Sequence, residues 1–80
     1  MNIIDDICNE FYKIFKINYK EEIGNYDYNL LEDKRFSASE IVLIIKTITN
    51  IYWGKTHIVK YPFDGEVTIN NIVKFIYDNK

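Results

Sequence analysis

The chain has 80 residues, 10 basic against 12 acidic side chains for a net charge of −2, one cysteine, three glycines and one proline. That composition describes one small domain, which must draw its stability from a single core burying roughly 60% of the unfolded chain's surface. It also argues against several classes: scattered lysines give no stripe for nucleic-acid phosphates, and a lone cysteine gives no disulfide framework.

No apolar run reaches the length of a bilayer, and the opening MNIIDD lacks the basic region of a signal peptide. A cytoplasmic protein with no membrane contact is the expectation. Cys8, set among Ile4, Ile7 and Phe11, reads as a small buried hydrophobe.

Ile3, Ile4, Ile7, Phe11, Ile14 and Phe15 recur at steps of three and four, with charged residues between them. This spacing predicts an amphipathic first helix from Asn2 to about Ile17. From Asn18 to Phe36 the periodicity fades, which predicts a long loop pinned to the core by Ile23, Leu30 and Leu31.

A second helix opens at SASE, where Ser37 fits the N-cap and Glu40 the carboxylate of a capping box. Its body, Ile41 to Tyr52, is too apolar for one buried stripe, so the helix is either central or carries an exposed apolar face. Gly54 ends it. Residues 55–61 allow one short helical turn or an extended piece, and Pro62 and Gly65 punctuate a loop. A last helix restarts at Thr68 as N-cap and buries Ile69, Ile72, Val73 and Ile76.

The expected fold is therefore all-α: a small bundle of three main helices plus a short third helix or turn, with a long loop between the first two. EEIGNYDYNLLED, SASEIVLIIKTI and TINNIVKFI, taken in this order, resemble the acyl carrier proteins. The resemblance places Ile23, Leu30 and Leu31 at core-anchoring loop positions, Glu32 and Asp33 at an acidic pair, and Thr68 at the start of the final helix.

In that family a serine in a D-S-L tripeptide opening the second helix carries 4′-phosphopantetheine. When Val42, Ile44, Ile45, Ile48 and Tyr52 are laid on the family's apolar positions, Ser37 falls on the aspartate, Ala38 on the serine and Ser39 on the leucine. Ala38 has no hydroxyl to esterify, so no cofactor is expected. A one-residue slip would instead make Ser37 the attachment point, at the cost of turning Leu43 and Thr47 inward.

The resemblance also implies docking of partner enzymes through carboxylates along the second helix. Here only Glu40 remains, with Leu43, Thr49 and Asn50 at the exposed positions and Lys46 adding positive charge. Without the serine the chain resembles the small acyl-carrier-related proteins that lack it and accompany bacterial systems modifying ribosomal peptides, and this resemblance implies a non-enzymatic adaptor in a bacterial peptide-modification or thioester pathway. Its expected protein-binding surface comprises Leu43, Lys46, Asn50, Trp53 and Tyr61, and a homodimer through the apolar helix is a further expectation.

Two alternatives stand beside it. One is a true carrier phosphopantetheinylated at Ser37; the other is a small bacteriocin or toxin immunity protein, since HIVKYPFDG is similar to the Tyr-Pro loop of colicin-type immunity proteins. A metal site at His57 lacks ligand partners at suitable spacing. Asp27, Glu32 and Asp33 read as a solvated acidic loop rather than a catalytic pair.

Overall fold

The structure, a computed structural model, describes residues 2–54 and 65–78, and these form helices with no strand among them. The expected short third helix or turn, His57 and Tyr61 all lie outside the described residues.

Helix α1 spans Ile3–Phe15. It begins where Asn2 accepts from the amides of Ile4 at 3.0 Å and Asp5 at 3.3 Å, and Asp5 and Asp6 sit at its positive end. The helix stops two residues earlier than the spacing predicts. Lys16 adopts the left-handed conformation at φ 59°, its amide bonding back to Tyr12, and this throws Ile17 into the core as the first residue of the loop.

The segment between the two long helices is more structured than expected. Helix α2, Tyr19–Glu22, is a single turn capped by the Asn18 side chain, and a 3-10 turn follows at Leu30–Glu32, capped by Asn29. Tyr19 is fully buried, packs against the Phe11 ring at 5.3 Å, and donates its hydroxyl to the carbonyl of Asn25 at 2.6 Å. Tyr26 stacks on it at 6.1 Å. A loop that buries an aromatic ring must satisfy its polar end, and Tyr19 does so locally.

Helix α3, Ala38–Trp53, is the second helix of the sequence reading, and Gly54 closes it in a left-handed cap at φ 70°. Ser37 accepts from the Glu40 amide at 3.3 Å, as a capping box requires. The reciprocal contact differs: the Glu40 carboxylate takes the Ser37 hydroxyl at 2.8 Å instead of reaching the Ser37 backbone amide.

The inward side of α3 also needs correction. Ile44, Ile45 and Ile48 are buried as expected, but Ile41 and Thr49 join them with no exposed surface, while Val42 and Tyr52 sit at the margin. Because α3 packs against both α1 and α4, a broad arc faces inward, and Thr49 fits there by returning its hydroxyl to the Ile45 carbonyl.

Helix α4, Ile69–Asp78, is capped by Thr68, whose Oγ accepts from the Asn71 amide at 3.0 Å. It buries Ile69, Ile72 and Ile76, with Val73 only partly covered. Polar ties help to fix the helices in place. Tyr52 on α3 donates to Asp6 on α1 at 2.6 Å, and Trp53 donates its indole N–H to the Ile76 carbonyl of α4 at 2.8 Å. Ahead of α4, Val67 meets the loop: Leu30 donates to its carbonyl at 2.8 Å and its own amide donates to Asn29 Oδ1 at 3.3 Å.

Candidate functional site

Two regions on α3 correspond to the candidate residues: the helix opening and the outward strip beyond it. At the opening, Ser37, Ala38 and Ser39 are all exposed. Ser37 Oγ is occupied as the cap acceptor and as donor to Glu40, and lies 3.4 Å from Ser39 Oγ. Any ester formed on Ser37 would remove the hydroxyl hydrogen from Glu40 and disturb the cap, a cap worth about 1 kcal/mol. Ala38, the first helical residue, presents only a methyl group.

The chain just before this opening is held by a polar knot. Arg35 grips Asp33 through both Nε at 3.0 Å and Nη2 at 2.7 Å, its backbone amide adds a third bond at 3.0 Å, and Tyr28 donates its hydroxyl to the same carboxylate at 2.9 Å. The Arg35 bonds hold the Asp33 carboxyl well below the usual range, and Asp33 in turn raises Tyr28. The side chain of Asp33 is 9% exposed, so the expected solvated acidic pair is divided: Glu32 faces solvent and Asp33 is structural. Asp27 accepts from the Asn70 side chain at 2.8 Å and is thereby tied to α4.

Along α3, Leu43, Lys46 and Asn50 follow one another at three and four residues, which places them on one side of the helix. Leu43 is 52% exposed, Asn50 is exposed and Lys46 is partly covered. Thr47 beside them donates its hydroxyl to the Leu43 carbonyl at 2.9 Å. Thr49, expected on this outward side, is instead in the core. Trp53 continues the same progression but is half-buried, bonded to α4 and in ring contact with Tyr77 at 6.0 Å and Tyr52 at 6.1 Å. The structure therefore gathers Leu43, Lys46 and Asn50, and turns Trp53 toward α4. Ile51, 53% exposed, lies around the helix beyond Thr47.

Sequence reasoning missed an open groove of about 750 Å³ beside α1, lined by Asp5, Cys8, Asn9, Tyr12, Lys13, Asn18 and Lys20. Its lysines are answered by carboxylates, Lys20 by Asp5 and Lys13 by Glu10. Burial pushes the Cys8 thiol up, which keeps it protonated and a poor nucleophile. No spacing in the sequence signals this groove, because it arises where the one-turn α2 folds back on α1.

Among the described residues no cluster of His, Cys, Asp and Glu could hold a metal ion, and no helix is long and apolar enough to cross a membrane. Compared with protein-family models, with curated proteins and with solved structures, the chain matches none.

Proposed function

We propose that this chain is a non-enzymatic adaptor of the acyl carrier protein type, which docks a pathway enzyme in bacterial peptide modification or thioester biosynthesis and works in the cytoplasm without a cofactor. The observation that carries the reading is the outward strip of α3, where half-exposed Leu43 is followed along one side by Lys46 and Asn50, and Glu40 is the helix's one acidic side chain. Acyl carriers, as the resemblance has it, present carboxylates there to attract basic partners over distance. A strip with one cation, no carboxylate and an exposed leucine selects a different partner, one that supplies a hydrophobic seat. The methyl group of Ala38 at the helix opening supports the same reading.

Two measurements test it. Co-expression with a promiscuous phosphopantetheinyl transferase, followed by intact mass measurement, should leave the mass unchanged; a gain of one phosphopantetheine that Ser37→Ala abolishes would make the protein a carrier instead. Pairwise co-purification with the products of adjacent genes should recover an enzyme, with binding lost in Leu43→Glu and kept in Ser39→Ala. Recovery of a toxin whose activity the chain inhibits would replace the adaptor reading by that of an immunity protein.

A further inference from the structure

We draw no further inference here: the strongest candidate, the exposed apolar side of α3 around Leu43 and Ile51, overlaps the surface already proposed for partner docking, and nothing in the structure shows what else covers it.

Discussion

The orientation of α3 is tested by paired truncations at Ile48 and Leu43, two aliphatic residues on one helix with opposite surroundings. Ile48 is wholly buried, whereas Leu43 is 52% exposed. Cutting a buried Ile to Ala removes its transfer free energy and leaves a cavity, at a cost of about 2–5 kcal/mol. At roughly 0.05–0.15 kcal/mol per residue, an 80-residue domain has about 4–12 kcal/mol in total, so Ile48→Ala consumes a large share. Leu43→Ala loses only partial burial, about 1 kcal/mol or less.

The assay is urea denaturation followed by the emission of Trp53, the one tryptophan, whose half-buried indole loses its bond to α4 on unfolding. With a slope of about 1 kcal/mol per molar, Ile48→Ala should lower the midpoint by about 2 M or more, and Leu43→Ala by no more than about 1 M. Should Ile48→Ala fail to fold, Ile48→Val, costing about 0.5–1.5 kcal/mol, supplies the comparison with Leu43→Val. Equal losses at the two positions, or a larger one at Leu43, would refute the inward face described for α3 and the docking strip with it.

Four further outcomes are expected. Ser37→Ala should cost about 1 kcal/mol while Ser37→Asp, which keeps an acceptor at the cap, should cost less; equal losses would contradict the capping role. Because Arg35 depresses Asp33, the carboxylate stabilises the fold above its unfolded pKa and that contribution disappears as pH falls. The stability gap between wild type and Asp33→Asn should therefore shrink below about pH 4, and a gap independent of pH would count against the knot. Burial, then Asp6, pushes Tyr52 up to about 12, so its contribution is complete below its unfolded pKa of about 10 and fades as pH rises through the folded value; Tyr52→Phe should flatten that part of the alkaline unfolding curve. Lys16→Gly relieves a left-handed residue, and despite losing the Lys16 cation above the Tyr12 ring it should raise stability by a few tenths of a kcal/mol to about 1 kcal/mol; a destabilised variant would show that the lysine side chain matters more than its backbone.

The long helices were legible because each carries its own punctuation: the three- and four-residue rhythm of Ile3 to Phe15, the SASE cap, Gly54, and Thr68 before Ile69. What escaped reading were features decided by tertiary contact. Helix α2 has four residues, too few to show a period, and its Asn18 cap looks like loop chemistry. In α3, apolar residues occur nearly all the way around, so packing against two neighbours chose Ile41 and Thr49 over Val42 and Tyr52 for the deepest places.

At the candidate site, Leu43, Lys46 and Asn50 could be grouped from helical spacing alone. The half-buried pose of Trp53 depends on a carbonyl at Ile76, distant in sequence, and no local pattern announces it. The same holds for the places of Tyr19, Tyr26 and Tyr28 in the loop. Tyr19 and Tyr28 spend their hydroxyls on the loop itself, and Tyr26 lies stacked on Tyr19.

Asn29 offers a way to recognise divergent kin. Its one carboxamide oxygen receives amides from Leu31 and Val67, so it sets a local turn and docks the strand of chain that leads into the last helix. Aspartate could mimic that acceptor, but glutamine would overshoot by a methylene. An Asn or Asp before an aliphatic pair, followed some forty positions later by a β-branched residue and a Thr or Ser cap, is thus the sequence pattern that this contact demands.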